Sequence, residues 1–186
     1  IIEEDSIIQE TKLTIHLKVN PGPRYKISKI SIVLDENSKS QITLPNIENL
    51  NLKIGDFAIA EKILSVKNDI FSKIDNENCL LNLEIYHEAT INQINNEVKI
   101  KYIVITDQQA KIKDVEFNGL ETVKKPYLYK ITSLKSKTCF RNSKILETQE
   151  QLQTTGLFSS TIPEIPKETD ENGEVPVIFH LNERKP

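Results

Sequence analysis

The chain has 186 residues, of which 38% are apolar and 27% are charged, and it contains neither Met nor Trp. This length allows one to three small domains and excludes a large enzyme with a deep core. The net charge of −3 provides no polycationic surface for nucleic acid, and no apolar run approaches the roughly 20 residues of a membrane-spanning helix. Because Met is absent, we expect a piece of a longer polypeptide.

The first feature along the chain is a repeated pair of strands. Residues 12–32 read KLTIHLKVNPGPRYKISKISI, residues 97–117 read EVKIKYIVITDQQAKIKDVEF, and the two segments superimpose without gaps at an offset of 85. In both segments apolar residues alternate with polar ones, as in a strand with one buried face. Each segment predicts a strand, a short polar connection and a second strand. Residues 1–8 and 13–19 are expected to form a hairpin.

The elements after the first copy follow from its spacing. Residues 44–50 predict at best a short helix. An amphipathic helix is predicted next, with Asp56 as its N-cap and with one apolar face formed by Ile59, Ile63, Val66, Ile70 and Ile74. Strands are then expected at residues 80–90 and 98–105.

The elements after the second copy are similar. Helices are predicted near residues 124–133, with Pro126 in the first turn, and at residues 143–155, with Gly156 as the stop. The second of these helices is expected to turn Ile145, Leu146 and Leu152 inward, and Phe57 is expected to correspond to Phe140. Strands are predicted at residues 158–165 and 175–181. The repeated unit is therefore β-α-α-β-β, an α+β class.

This order of elements resembles the polypeptide-transport-associated (POTRA) domain, and short motifs carry the resemblance. Residues 19–27, VNPGPRYKI, are similar to the segment that links successive POTRA domains. Residues 117–119, FNG, resemble the F-x-G that follows the first strand. Residues 149–158, QEQLQTTGLF, resemble the Q-x-x-L-x-x-x-G-L/Y-F signature. The junction residues Glu183, Arg184, Lys185 and Pro186 resemble the handover to a membrane barrel. Two departures are the lack of Gly in residues 135–139 and the replacement of Gly-Tyr-Phe in residues 75–79.

The resemblance implies the tandem POTRA region of an outer-membrane protein of the BamA/TamA superfamily, most like its TamA branch. Each complete unit would be a three-stranded mixed sheet covered on one face by two helices. Residues 1–23 would end a preceding unit, residues 24–109 would form the second of three units, and residues 110–186 the third. The expected partners are unfolded outer-membrane or autotransporter clients, an inner-membrane protein similar to TamB, and a parent barrel. The expected location is the periplasmic face of the outer membrane.

No catalytic or cofactor-binding pattern is found in the sequence. His16, His87 and His180 stand singly in predicted strands, and no phosphate-binding glycine motif occurs. The acidic runs at residues 3–5 and 170–171 lack the alternating ligand spacing of calcium loops. Cys79 and Cys139 fit no zinc spacing and are expected to be two free, partly buried thiols rather than a disulfide. We therefore expect no enzyme activity, no cofactor, no metal and no small-molecule ligand.

The expected chemistry is main-chain hydrogen bonding at the edge of a sheet. The resemblance implies that the second strand of each unit accepts an extended polypeptide, by β-augmentation. The candidate residues at these edges are Leu81, Leu83, Glu84, Ile85, Tyr86, His87, Phe158 and Ser160. One alternative is that these are ordinary edge strands with no binding role, protected from pairing by charge and, in the last unit, by Pro163 and Pro166. A second alternative is a rigid spacer or docking arm for an inner-membrane partner. A further alternative is that the chain consists of POTRA domains of a BamA-type or two-partner-secretion transporter.

Overall fold

The computed structural model describes the backbone of residues 2–9 and 12–19, and both backbone and side chains of residues 22–184. Strands β1 (Ile2–Gln9) and β2 (Lys12–Val19) pair antiparallel along their whole length. This confirms the predicted N-terminal hairpin. Lys185 and Pro186 of the predicted junction lie outside the described residues.

Two complete units follow, with the same arrangement of strands. The elements of the first unit are β3 (Lys26–Leu34), a 3-10 turn (Ile47–Asn49), α1 (Ala60–Glu77), β4 (Leu83–Asn92) and β5 (Glu97–Thr106). Those of the second unit are β6 (Lys111–Asn118), α2 (Lys125–Ile131), α3 (Asn142–Thr154), β7 (Phe158–Glu164) and β8 (Glu174–Glu183). The third strand of each unit is central, since the sheet orders are β3-β5-β4 and β6-β8-β7. In each sheet the first strand is parallel to the centre and the second is antiparallel. The tandem α+β fold is therefore as predicted.

Equivalent irregularities confirm that the two units are repeats. The pairing of β3 with β5 shifts register after Ile27, and that of β6 with β8 shifts after Ile112, its partner at the offset of 85. The segment before the last helix corrects the predicted match of Phe57 with Phe140. Lys26 bridges to Phe57 whereas Lys111 bridges to Cys139. Phe57 is therefore equivalent to Cys139, one residue earlier than the sequence comparison predicted.

The same segment explains how the second unit manages without a glycine. The N–H of Gly55 donates to the carbonyl of Ile27, and the N–H of Lys137 donates to the carbonyl of Ile112. Gly55 has φ of 94° and Lys137 has φ of 62°. Lys137 thus adopts the left-handed backbone that glycine adopts in the first unit, at a steric cost that a β-carbon imposes.

Each unit has its own apolar core beneath its helices. The inward face of α1 is largely as predicted, because Ile63, Val66, Ile70 and Ile74 are buried, but Ile59 precedes the helix and is exposed. Two details of the helices differ from the predictions. Helix α1 begins after Ile59, and Asp56 instead accepts a hydrogen bond from the N–H of Lys53 in the preceding turn. In α3, Leu146 is 56% exposed, because the helix turns about 100° per residue and its neighbour Ile145 takes the inward position.

The motif residues of the second unit have clear structural roles. Gly119 has φ of 83°, and a β-carbon there would lie 2.1 Å from the carbonyl oxygen of Leu181 on β8. Gln149 on α3 donates through Nε2 to the carbonyl of Thr161 on β7 at 2.7 Å. Leu152 is fully buried, and Gly156 ends the helix with φ of 72°. These residues fix the first strand and the last helix against the sheet.

The prediction of two free thiols is wrong. Cys79 and Cys139 form a disulfide, with their Cα atoms 5.1 Å apart. The two cysteines are separated by 60 residues. Cys79 follows α1 of the first unit, and Cys139 precedes α3 of the second. The bridge exists because the two units pack with these helix ends together, a tertiary contact that cysteine spacing does not encode.

Candidate polypeptide-binding edge

Strand β4 is the candidate binding edge. It pairs with the central β5 over ten consecutive residues without a register shift, and it has no second neighbouring strand within the described residues. No side chain of the described residues bonds to the main chain of residues 83–90. An edge strand of this kind presents unpaired N–H and C=O groups to solvent. The strand begins at Leu83, three residues later than predicted.

A groove runs between β4 and α1. It has a volume of about 640 Å³ and is lined by Lys67, Asn68, Phe71, Leu83, Glu84, Ile85 and Tyr86. Helix α1 contributes the first three residues and β4 contributes the others. Leu83 and Ile85 are buried on the helix side of the sheet, and the alternation of the strand places Glu84 and Tyr86 on the other side. A strand added beside β4 would place alternate side chains near Phe71 and near Tyr86.

Polar contacts hold the exposed side chains of β4 in place. The hydroxyl of Tyr86 donates to the carboxylate of Glu84, and this hydrogen bond raises the pKa of Tyr86. Tyr86 nevertheless keeps 51% of its surface exposed. Exposed Glu88 lies 3.9 Å from Lys101 on β5. The edge thus combines an accessible aromatic ring with charges of both signs.

His87 of β4 pairs with a structural tyrosine. It lies opposite Tyr102 on β5, and the ring centroids are 6.5 Å apart. Tyr102 is fully buried and donates to the carbonyl of Ile63 on α1 at 3.0 Å. Burial raises the pKa of Tyr102 to about 12. The Tyr102 hydroxyl thus connects the central strand to helix α1.

The equivalent edge strand β7 is more obstructed. Its register shifts between Phe158 and Ser160, and Pro163 removes one main-chain donor. The carbonyl of Thr161 is already bonded to Gln149, and Arg184 donates to the carbonyls of Leu157 and Phe158. Phe158 is itself buried and Ser160 is half-buried. Of the two edges, β4 is the more open to a partner strand.

Two predicted site residues have other positions. Leu81 precedes β4 and is buried in the core of the second unit, so it is not accessible to a bound strand. Glu183 of the predicted junction accepts hydrogen bonds from the N–H groups of Glu121, Thr122 and Val123, and from the Thr122 hydroxyl. These bonds lower the pKa of Glu183 to about 2. Glu183 therefore anchors the loop after β6.

Two further polar clusters have structural contacts, whereas the side chains of His16 and of the acidic run at residues 3–5 lie outside the described residues. Asp170 accepts from the N–H groups of Asn172 and Glu174 and pairs with Lys113 at 2.9 Å, which makes it a turn residue of the β7–β8 loop. His180 pairs with Glu164 across the β7–β8 ladder. Among the described residues there is no group of three metal-ligating side chains, and no helix is long and apolar enough to cross a membrane.

The helix side of the groove is formed by residues that were not among the predicted site residues. Lys67, Asn68 and Phe71 lie beside β4 because α1 crosses the sheet next to its outer strand. Phe71 follows buried Ile70 and is only partly buried against the core of the first unit. An aromatic residue one position beyond the apolar face of a helix is the sequence signal that could have identified this side of the groove.

Comparisons with known proteins agree with this architecture. Residues 110–184 match the family model "POTRA: Surface antigen variable number repeat". The structure is similar to that of Haemophilus influenzae BamA POTRA3-5, with a TM-score of 0.66 and 17% identity over 97% of this chain and 71% of that one. It is also similar to BamA from Haemophilus ducreyi lacking POTRA domains 1-3, with a TM-score of 0.70 and 18% identity over 86% of this chain. The chain spans only 30% of the length of the H. ducreyi structure. No curated protein matches the sequence. The chain therefore has the fold of tandem POTRA domains, and its residues 110–184 match the POTRA family model.

Proposed function

We propose that the chain is a polypeptide-binding segment of an outer-membrane protein of the BamA/TamA superfamily, and that β4 accepts an extended client strand. The observation that carries the proposal is the open ten-residue edge of β4 beside the groove against α1. An added strand would bond through its backbone and place alternate side chains on Phe71 and Tyr86.

The clients in this proposal are unfolded outer-membrane or autotransporter polypeptides. Main-chain bonds give affinity that does not depend on sequence, and the mixed charges around Glu84, Glu88, Lys67 and Lys101 impose no single charge on the client. Precursors of membrane barrels consist of strands with alternating apolar and polar residues. Such a strand would fit an edge that has an apolar contact on each side.

The proposed setting is the periplasmic face of the outer membrane, and the Cys79–Cys139 disulfide supports it. Disulfides persist in oxidising compartments, among them the bacterial periplasm, and are rare in the cytosol. Residues 24–109 and 110–186 would be two successive POTRA domains of the TamA type, ahead of a membrane barrel. An inner-membrane protein similar to TamB would be a further partner.

Photo-crosslinking tests the proposed edge. A photoreactive amino acid at Glu84 or Tyr86 is expected to capture unfolded barrel precursors at several times the yield of a probe at Lys73, which is exposed on α1. A probe at Ile162, exposed on β7, serves as the control for the second edge. Equal capture from Lys73 and Tyr86 would show that β4 is not the binding element.

A second candidate function is a fixed spacer or docking arm for an inner-membrane partner. The disulfide between the units favours it, because a covalent link between two domains restricts changes in the distance between their ends. The variant Tyr86→Asp with Ala89→Asp separates the two functions. If the chain is a spacer, this variant is expected still to support assembly of client proteins. If β4 binds the clients, the variant is expected to lose that support. Circular dichroism of the variant establishes that folding is retained.

A further inference from the structure

The junction between the two complete units is closed by main-chain pairing. Residues 107–110 connect β5 to β6, and they run beside residues 79–82, which follow α1. The N–H of Leu81 donates to Gln108 at 2.9 Å, that of Asp107 to Asn82 at 3.0 Å, and that of Ala110 to Cys79 at 2.6 Å. The connection is therefore a short paired segment and not a free tether.

Two side-chain links then cross from α1 to the start of α3. The first is the Cys79–Cys139 disulfide, whose two cysteines are only half-buried. The second is Asp75, which is fully buried and accepts from the N–H groups of Asn142 and Ser143, each at 2.9 Å. A carboxylate at this position satisfies free N–H groups of the first helical turn and complements the helix dipole. Helix α3 is thus capped by a residue of the other unit.

An apolar contact completes the junction. Leu81 belongs by sequence to the first unit, but it is buried in the core of the second, together with Ala110 and Phe140. Its neighbour Leu80 is buried in the core of the first unit. Adjacent residues therefore anchor the same segment in both cores.

The repeat shows that a cysteine before the last helix is not required by the fold of a single unit. Phe57 stands at the position of Cys139, and Ala60 and Glu61 stand at those of Asn142 and Ser143. The first unit has the same fold with Phe57 at this position, so the disulfide is not needed to fold a single unit and serves the junction.

We propose that Asp75, Leu81 and the Cys79–Cys139 disulfide form a clamp that makes the two complete units move as one rigid body. The disulfide and the Asp75 cap act in parallel, since each alone ties the end of α1 to the start of α3. The clamp fixes the direction of the β4 edge relative to the second unit. It is independent of what β4 binds, so the crosslinking test can fail while the clamp stands.

Residual dipolar couplings of the full chain test the clamp. One alignment tensor is expected to fit both units of the oxidised protein. In the variant Cys79→Ser/Cys139→Ser/Asp75→Asn, we expect each unit to need its own alignment tensor. The magnitude of one tensor is expected to be at least a third smaller than that of the other. The control variant keeps both Cys→Ser changes but carries Asp69→Asn in place of Asp75→Asn. Asp69 is an exposed residue of the same helix, and a single tensor is expected to fit both units of this variant. The proposal is overturned if the oxidised protein needs two tensors, or if the triple variant still fits one while each unit fits its own coordinates.

Amide exchange of the unmutated chain covers the case in which the triple variant does not fold. A small dithiol converts the disulfide to two thiols by transfer of two electrons and two protons, and is itself oxidised to a disulfide. Reduction is expected to speed exchange at Asn142 and Ser143 at least threefold, while Thr148 and Leu152 of the same helix exchange as before. Unchanged exchange at Asn142 and Ser143 would show that the disulfide does not hold the end of α1 against α3, and would overturn its place in the clamp.

Discussion

At Gly119 the loop after β6 passes against the carbonyl of Leu181, and this contact explains why a glycine follows the first strand. The variant Gly119→Ala combines a φ of 83° with a β-carbon 2.1 Å from that oxygen. We expect it to lower the free energy of unfolding by about 3 kcal/mol, since β8 must move. Gly173→Ala is the control, because Gly173 has φ of 72° but nothing within 4 Å. It should cost only about 1 kcal/mol. Equal losses in denaturant unfolding would contradict the role of the close approach.

The carboxylate of Glu183 makes the stability of the fold depend on pH. Its carboxylate has a pKa of about 2 in the folded chain, held below the usual 4.5 by the Thr122 hydroxyl and the N–H groups of residues 121–123. A lowered pKa means that ionised Glu183 stabilises the fold above about pH 4.5, and that this contribution is lost as the pH falls through about 2. Glu183→Gln should therefore lower the Tm at pH 6, by an amount that shrinks steadily towards pH 2.

The control for this titration is Glu116→Gln, which changes an exposed carboxylate on β6. Its Tm should follow that of the unmodified chain at every pH. A difference between Glu183→Gln and the unmodified chain that stays constant from pH 6 to pH 2 would exclude the carboxylate as the source of the stabilisation.

Among the elements, β4 and α1 together make the proposed binding groove, and the ring of Tyr86 is its most exposed aromatic contact. We expect Tyr86→Ala to weaken binding of a ten-residue peptide of alternating aromatic and polar residues about fivefold to tenfold, since an aromatic contact contributes about 1 kcal/mol. Thermal stability should barely change, because the ring is 51% exposed. Ile162→Ala, an exposed position on β7, is the matched control and should bind normally in titration calorimetry.

The elements also show what the sequence could predict. Alternation and helical spacing located the strands and helices, because burial of one face imposes those periods. The same patterns could not decide between Ile145 and Leu146, which are adjacent apolar residues at the edge of a stripe. They also predict Leu81 on the edge strand, because the identity of an apolar residue does not indicate which of two cores buries it. The match of Phe57 with Phe140 was one residue out, since main-chain pairing and not residue type sets that register.

At the scale of the whole molecule, the disulfide should stabilise both units together. It closes a loop of 60 residues, for which the chain-entropy model gives about 4 kcal/mol. Reduction by a dithiol should move the denaturant midpoint downward. The variant Cys79→Ser/Cys139→Ser should start at the reduced midpoint and show no response to the dithiol. Identical midpoints for oxidised and reduced protein would mean that packing and Asp75 alone hold the junction.

This bridge was not predictable from the sequence. Two cysteines 60 residues apart become neighbours only when α1 of one unit meets α3 of the next. Cysteine spacing within a unit carries no information about a contact between units. The buried carboxylate of Asp75 is hidden for the same reason, because its partners are main-chain groups of the following unit.

Intermolecular nuclear Overhauser effects test most directly whether a client strand pairs with β4. With an isotope-labelled chain and an unlabelled peptide of alternating aromatic and polar residues, we expect contacts between the peptide backbone and the amides of residues 83–90. They should repeat every second residue, together with contacts from peptide side chains to Phe71 and Tyr86. Contacts confined to β7 or to the outer faces of the helices, or no contacts at saturating peptide, would contradict strand pairing at β4.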